Sequence, residues 1–165
     1  MPTVLITGGT GMIGTALSRL LLQQGYDVII LSRNPIETAS AYKATSLQNS
    51  FRPSGNIFYA RWDTGKMFID PQALSQADYI VHLAGEGVAK KRWTKKRKEE
   101  IKKSRTESSE LLFQALSSQP NKVKAVISAS AIGWYGSDKG TPFKETDPVS
   151  IDFLGETCKA WEESI

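Results

Sequence analysis

Residues 1–14 read MPTVLITGGTGMIG, a short apolar strand that runs into a glycine-rich turn, and a helical pattern follows over residues 15–22. Gly8, Gly11 and Gly14 have the spacing G-x-x-G-x-x-G. The first glycine permits a tight turn, the second lets the backbone approach a pyrophosphate, and the third lets the helix pack on the strand. The helix N-terminus also offers unpaired N–H groups to phosphate. This order of strand, turn and helix therefore predicts a dinucleotide site rather than a turn that merely needs glycine.

Strands and helices alternate along the rest of the chain. Strands are predicted at 4–6, 28–31, 56–62, 79–85 and 124–130. Helices are predicted over 15–22, 71–76, about 94–118 and 151–165, and the aperiodic stretch 36–55 is predicted to be a variable helix or loop. The second strand is apolar at every position, which is typical of a parallel strand covered on both faces. The predicted fold is α/β, a doubly wound parallel sheet (Rossmann fold) in three α/β/α layers.

Size and composition indicate a globular protein with one domain's worth of chain, 165 residues of which 40% are hydrophobic and 23% charged. No apolar run is long enough to cross a bilayer, and no secretory signal is recognisable, which favours a cytoplasmic location. Cys158 is the single cysteine, so neither an internal disulfide nor a metal cluster is predicted. His82 lies in an apolar run and is predicted to be a packed strand residue.

The net charge of +4 is concentrated in one stretch. Nine cations fall within residues 90–103: Lys90, Lys91, Arg92, Lys95, Lys96, Arg97, Lys98, Lys102 and Lys103. The run could be a nucleic-acid patch, a solvated helix start offset by Glu99 and Glu100, or a set of cations facing an anionic cofactor or substrate. Because Trp93 is the only aromatic residue among them, nucleic acid is not the expected partner.

The end of the second predicted strand indicates which dinucleotide is bound. A carboxylate at this point holds the ribose hydroxyls of NAD, whereas a small residue with an arginine accommodates the 2′-phosphate of NADP. Ser32 and Arg33 stand here without a carboxylate and supply a hydroxyl donor and a planar cation. The sequence therefore favours NADP (NADPH) over NAD.

Two charged residues leave alternatives open. Asp63 ends the third predicted strand and either accepts a hydrogen bond from an adenine amino group or caps a turn before Gly65. Arg105 interrupts the inward stripe of the long predicted helix. It either pairs with Glu100 or another carboxylate, or it points into the ligand crevice.

Small hydroxylic residues end the fifth predicted strand. Ser128 and Ser130 lie at this end, and Tyr135 follows in the next loop. The carboxyl ends of parallel strands line the ligand crevice of an open sheet, so these residues are candidates for chemistry. Serines at a strand end can equally serve to satisfy backbone groups.

Four stretches together resemble the extended short-chain dehydrogenase/reductase superfamily, and they are most similar to its atypical epimerase/dehydratase-like branch. The stretches are 7–14, 31–35, 82–86 and 128–136, in the order of the family. The resemblance implies that the turn at 8–13 holds the pyrophosphate and that Ser32 and Arg33 hold the 2′-phosphate. The cofactor-binding residues predicted in this way, with Asp63 in its adenine-binding interpretation, are Gly8, Thr10, Gly11, Met12, Ile13, Ser32, Arg33, Asp63, Leu83, Ala84, Gly85, Glu100 and Arg105.

The resemblance also implies a catalytic set, from which the chain departs. Ser130 takes the place of the family's catalytic Ser/Thr, with Ser128 as the alternative, and Lys159 takes the place of the lysine in Tyr-x-x-x-Lys. Gly155 stands where the tyrosine would be. The family's main proton donor is therefore missing, and Tyr135 could replace it only if its loop folds back.

Length is a second departure from the family. This fold usually has a sixth strand beside the fifth, and the extended branch adds a C-terminal substrate region. Neither fits within 165 residues. We therefore expect an NAD(P)-binding Rossmann domain over 1–165 with five strands present and the sixth missing, as a fragment of a longer protein.

These features predict an NADP(H)-binding oxidoreductase or nucleotide-sugar-epimerase-like protein of unknown substrate. Hydride would pass between C4 of the nicotinamide and a substrate carbon near Ser130. The alternative is a non-catalytic NADP(H)-binding sensor or scaffold, which the missing tyrosine favours. The expected partner is a small-molecule substrate, and a homodimer is expected by analogy with relatives alone.

Overall fold

The computed structural model describes residues 1–46, 54–89 and 91–165. Within these ranges the strands are β1 (Thr3–Thr7), β2 (Asp27–Ser32), β3 (Ile57–Asp63), β4 (Phe68–Ile69), β5 (Tyr79–His82) and β6 (Ala125–Ser128). The helices are α1 (Met12–Gln23), α2 (Pro35–Ser46), α3 (Pro71–Gln76), α4 (Lys95–Ser118) and α5 (Phe153–Ser164), with short 3₁₀ turns at Thr64–Lys66 and Ile132–Tyr135. The predicted helix or loop over 36–55 is α2 in its first part, and residues 47–53 of that prediction lie outside the described residues.

The strands form one sheet in the order β4-β3-β2-β1-β5-β6. β1 pairs in parallel with both β2 and β5, and β2 pairs in parallel with β3. From β1 the chain adds β2, β3 and β4 outward on one side, and it then adds β5 and β6 on the other side of β1. The direction in which strands are added therefore reverses between β1 and β5. This is the topology of a doubly wound sheet, and the predicted fold class is confirmed.

Both faces of the sheet are covered, since alternate residues of the strands belong to different apolar clusters. One cluster joins Leu5 and Ile80 to residues of two helices, among them Leu74 of α3 and Leu112 of α4. The other joins Ile6 of β1 and Ile30 of β2 to Leu17, Leu21 and Leu22 of α1. Three α/β/α layers result.

The number of strands differs from the prediction, because β4 adds a sixth strand at the β3 edge. Its two residues pair antiparallel with β3, Phe68 with Asp63 and Ile69 with Trp62. The chain reverses through a 3₁₀ turn and Met67, which has a φ of 47°. A strand of two residues carries no alternating pattern, so it left no signal in the sequence. β6, the predicted fifth strand, forms the other edge of the sheet in the part of the chain that the structure describes.

The chain divides into two compact units. The sheet unit contains Met1–Ala84 and Leu111–Ile127, and the second unit contains Gly85–Glu110 and Ser128–Ile165. Across the described ranges, no helix has both the length and the apolar character needed to cross a membrane.

Candidate functional site

The glycine-rich turn of the sheet unit packs against the end of β5. Gly8 has a φ of 68°, in the left-handed region that side chains disfavour. A Cβ atom on Gly8 would also lie 2.7 Å from the carbonyl oxygen of Leu83. Glycine is therefore required at this position both by the backbone conformation and by the close approach of β5.

The other glycines of the turn have separate roles. A Cβ on Gly14 would lie 2.5 Å from the carbonyl oxygen of Gly8, so the first turn of α1 packs on the glycine turn itself. A Cβ on Gly9, which the motif does not include, would lie 2.9 Å from Ile30 of β2. A Cβ on Gly11 would have only the Gly8 oxygen near it, at 3.3 Å. Among the residues that the structure describes, one side of Gly11 is therefore open.

The N-terminus of α1 has no side-chain cap. Gly11 is the N-cap residue, and the first turn contains no acidic side chain. The first backbone N–H groups of a helix have no partner within the helix, and they carry the positive end of its dipole. Met12 and Ile13, the first two residues of this helix, are 87% and 64% exposed. An open glycine cradle with uncapped N–H groups fits the diphosphate of a dinucleotide.

A network of hydroxyl groups organises the end of β2. Ser32 Oγ accepts a hydrogen bond from the backbone N–H of Asn34 at 3.1 Å and lies 2.7 Å from Thr38 Oγ1 of α2. Arg33, between Ser32 and Asn34, is exposed and forms no ion pair within the described residues. The sequence prediction included Ser32 and Arg33 but not Thr38.

The backbone after β5 is held by Thr7, which sequence reasoning also missed. Thr7 Oγ1 accepts hydrogen bonds from the N–H groups of Leu83 and Ala84, both at 3.2 Å. The same oxygen lies 2.7 Å from Nδ1 of His82. His82 is buried, as predicted, and burial lowers its pKa to about 4. The imidazole is therefore neutral near pH 7.

Asp63 at the end of β3 caps the following turn. Its Oδ1 accepts a hydrogen bond from the backbone N–H of Lys66 at 3.2 Å. The capping alternative is thus observed, and adenine binding by Asp63 stays a prediction.

In the second unit, the loop after β5 is fastened to α4 through its backbone. The N–H of Glu86 donates to Ser104 Oγ at 3.0 Å, and Arg105 Nη1 donates to the carbonyl of Glu86 at 3.2 Å. Arg105 also donates to the carbonyl of Ile101 at 2.8 Å, and its guanidinium lies 5.0 Å from the centre of the Trp161 ring. Burial lowers the pKa of Arg105.

Arg97, rather than Arg105, is the ion-pair partner of Glu100. Arg97 Nη1 lies 3.1 Å from Glu100 Oε2, and Arg97 Nη2 lies 3.0 Å from Glu86 Oε2. Nη2 also donates to the carbonyl of Gly87 at 2.8 Å. The hydrogen bonds to Glu100 and Glu86 raise the pKa of Arg97, whose side chain is only 7% exposed.

The basic run is therefore not uniformly a solvated helix start. Lys91, Arg92, Lys95, Lys96 and Lys102 are exposed, whereas Arg97 is buried. Lys90 of that run lies outside the described residues. The spacing of Arg97 and Glu100, three residues apart on a helix, was the available signal for their pairing.

The three predicted catalytic side chains lie in the second unit and have different partners. Ser130 Oγ donates to the carboxylate of Glu162, and Lys159 Nζ lies 3.8 Å from Glu163 Oε1. The ring of Tyr135 stacks on Phe143 with 4.9 Å between centroids. No hydrogen bond joins any two of the three within the described ranges. Ser128, the alternative to Ser130, donates to the carbonyl of Ala129 at 3.3 Å.

Gly155, at the position expected for the tyrosine, is tightly enclosed. A Cβ atom there would collide with the carbonyl oxygen of Ser150. The N–H of Gly155 donates to Asp152 Oδ1 at 2.8 Å, which caps the N-terminus of α5. A tyrosine, or any other side chain, at this position would therefore require the backbone at Ser150 or the start of α5 to shift.

Comparisons with known proteins agree with the fold. Epimerase family protein YfhF of Bacillus subtilis (strain 168) is 34% identical over 161 residues, which cover 97% of this chain and 48% of that protein. Human epimerase family protein SDR39U1 (isoform 2), in a crystal structure with NADPH, has a TM-score of 0.72 and 27% identity over 98% of this chain and 48% of that one. The nucleoside-diphosphate sugar epimerase from Corynebacterium glutamicum has a TM-score of 0.70 and 32% identity over 99% of this chain and 30% of that one.

The chain spans about half the length of the curated relatives that it matches. The NAD dependent epimerase/dehydratase family matches residues 4–152, from β1 to the N-cap of α5. That range contains the glycine turn, the end of β2, the fastened loop after β5 and Ser130. With the doubly wound sheet and the glycine cradle already described, this match shows that the chain belongs to the NAD dependent epimerase/dehydratase family.

Proposed function

We propose that this chain binds NADP(H), with the diphosphate at the glycine turn and the 2′-phosphate at Arg33. The observation that carries the proposal is the open N-terminus of α1, where uncapped N–H groups meet Gly11, whose Cβ position has only the Gly8 oxygen near it among the described residues. Arg33 supports NADP over NAD, because it is an exposed cation at the end of β2 without a carboxylate partner among the described residues. The NADPH in the human SDR39U1 structure supports the same choice of cofactor.

We further propose that the whole protein is an oxidoreductase or a nucleotide-sugar-epimerase-like enzyme. Bound NADP(H) would supply a hydride donor or acceptor. Ser130 would hold a substrate oxygen by a hydrogen bond, and Lys159 would place a positive charge nearby. The name of the Corynebacterium glutamicum relative supports a nucleotide sugar as the class of substrate.

A non-catalytic NADP(H) sensor or scaffold is the second candidate, and Gly155 favours it. A tyrosine at this position would meet the Ser150 carbonyl, and Tyr135 is stacked on Phe143. Without a group that exchanges the substrate proton, hydride transfer has no acid–base partner. Substrate-dependent oxidation of NADPH by a longer protein, abolished by Ser130→Ala, would decide for the enzyme.

Residues 1–165 are proposed to form the cofactor-binding part, with a substrate region supplied by further chain, since relatives are about twice as long. The contacts of Leu83, Ala84, Gly85, Glu100 and Arg105 with the cofactor stay predictions. So do a cytoplasmic location, a homodimer and the absence of a nucleic-acid partner.

The first test is a titration of this chain with NADPH and NADH, followed by nicotinamide fluorescence or calorimetry. We expect tighter binding of NADPH, and we expect Arg33→Ala to remove that preference because the 2′-phosphate loses its cation. Arg19→Ala on α1 is the control, since Arg19 forms no ion pair among the described residues. Failure of both nucleotides to bind would count against the cofactor site.

A further inference from the structure

Four groups at the start of α2 form a closed ring of hydrogen bonds. The N–H of Asn34 donates to Ser32 Oγ at 3.1 Å, and Ser32 Oγ lies 2.7 Å from Thr38 Oγ1. Thr38 Oγ1 donates to the carbonyl oxygen of Asn34 at 2.8 Å, and the backbone N–H of Thr38 donates to the same oxygen at 3.1 Å. The ring thus begins and ends on Asn34.

The direction of each hydrogen bond in the ring is fixed by counting protons. A hydroxyl group has one proton to donate. The proton of Thr38 is used on the Asn34 carbonyl, so Ser32 must donate to Thr38 across the 2.7 Å contact. Ser32 therefore accepts from Asn34 and donates to Thr38. Its hydroxyl is a brace within the turn, and its predicted contact with the 2′-phosphate stays a prediction.

Arg33 lies at the centre of this brace. Its backbone connects Ser32 to Asn34, and its side chain is exposed and without an ion pair within the described ranges. The backbone of the turn then fixes the position of the Arg33 Cα atom, from which the side chain extends. Each hydrogen bond in a ring polarises the next, so loss of one member loosens the whole turn.

We infer that Thr38 is a positioning residue for recognition of the 2′-phosphate. By accepting the Ser32 proton and donating to Asn34, it holds the turn in the conformation that aims Arg33 at the phosphate. This inference rests on the proposed binding of NADP(H). It adds Thr38, a residue of α2 that does not itself touch the phosphate, to the residues that determine recognition of the 2′-phosphate.

The test compares two fragments of the dinucleotides, 2′,5′-ADP and 5′-AMP, in calorimetric titrations of the full 165-residue chain. They share the adenosine 5′-phosphate, and one carries the 2′-phosphate. We expect Thr38→Val to weaken binding of 2′,5′-ADP about five-fold, the effect of one net hydrogen bond, and to leave 5′-AMP unchanged. Thr38→Ser retains the hydroxyl and should bind both fragments as the parent chain does.

Two further variants separate positioning from stability. Ser40→Ala removes a hydroxyl on the same helix that donates to the carbonyl of Ile36 at 3.1 Å, and it should leave both affinities unchanged. In an Arg33→Ala background, Thr38→Val should have no effect, because its influence passes through Arg33. The unfolding temperature of each variant shows whether a loss of affinity follows a loss of fold.

Three results would overturn the inference: an equal loss for both fragments, a loss that persists in the Arg33→Ala background, or no loss at all. A different result would overturn the proposed function itself. If the parent chain binds neither 2′,5′-ADP nor NADPH, the cofactor site is wrong. If the parent chain binds them and Thr38→Val does not change the affinity for 2′,5′-ADP, only the inferred role of Thr38 is wrong.

Discussion

At some positions of this chain, a single backbone carbonyl oxygen determines whether a side chain can be accommodated. A Cβ on Gly155 would meet the Ser150 carbonyl, and a Cβ on Gly8 would meet the Leu83 carbonyl. Neither contact involves a flexible side chain that could move aside. At the residue scale, the backbone around α5 therefore disfavours any side chain at position 155, including the tyrosine that the family resemblance predicts there.

Gly155→Ala should destabilise the chain. The added methyl group must displace the backbone at Ser150 or the start of α5, and overpacking of this kind costs about 1–3 kcal/mol. Urea unfolding followed by circular dichroism would measure the loss. Gly65→Ala is the matched control, because its Cβ would lie 3.5 Å from Asp63 Oδ1, an ordinary contact. Equal stability of the two variants would contradict the tight enclosure of Gly155.

At the scale of elements, the loop after β5 is fastened to α4 by several side chains of that helix. Ser104 and Arg105 hold the backbone of Glu86, and Arg97 holds its carboxylate and the Gly87 carbonyl. Further along, Trp93 Nε1 donates to the carbonyl of Val88 at 2.7 Å. Glu86 and Gly87 are thus bound directly to α4.

Arg97→Met should release this loop. The substitution leaves the carboxylates of Glu86 and Glu100 without their shared partner, so we expect a lower unfolding temperature and faster tryptic cleavage after Lys91 and Arg92. Lys102→Met removes an exposed cation from the same helix and should change neither measurement. Unchanged cleavage in Arg97→Met would show that the backbone hydrogen bonds alone hold the loop.

The sequence could predict those elements of the fold and the site that have a local, periodic pattern. The glycine turn, the apolar β2 and α4 were predicted because their patterns are local and periodic. Thr7 and Thr38 were missed, since a lone threonine in a sequence gives no sign of the hydroxyl contacts it makes after folding. β4 was missed because two residues are too short for a pattern, and the Arg97 pairs were hidden within a run of solvated lysines.

At the scale of the whole molecule, stability should depend on pH through His82. Its pKa falls from 6.5 to about 4 on burial, so the unfolded chain binds more protons between these values. The stability contributed by the neutral imidazole is fully present above pH 6.5 and is lost as the pH falls toward about 4. A shift of this size corresponds to about 3 kcal/mol.

Urea unfolding from about pH 7.5 to about pH 4.5 should therefore show a falling free energy of unfolding, and His82→Gln should flatten the curve. Asp78 and Asp152 do not interfere with this window. Their pKa values are lowered from 3.8, in each case first by a backbone hydrogen bond, so their contributions are lost only in stronger acid. A curve with the same slope in His82→Gln would assign the pH dependence to other groups.

The enclosure of Gly155 also limits how this chain can change by mutation. A single base change that replaces this glycine meets the Ser150 carbonyl before any new hydroxyl can act. Selection would have to remodel the segment before α5 first, at a time when the remodelling brings no benefit. A substitution at Gly155 is therefore disfavoured until the backbone before α5 has changed. With this backbone, a new acid–base group is accommodated more readily in a loop than at position 155.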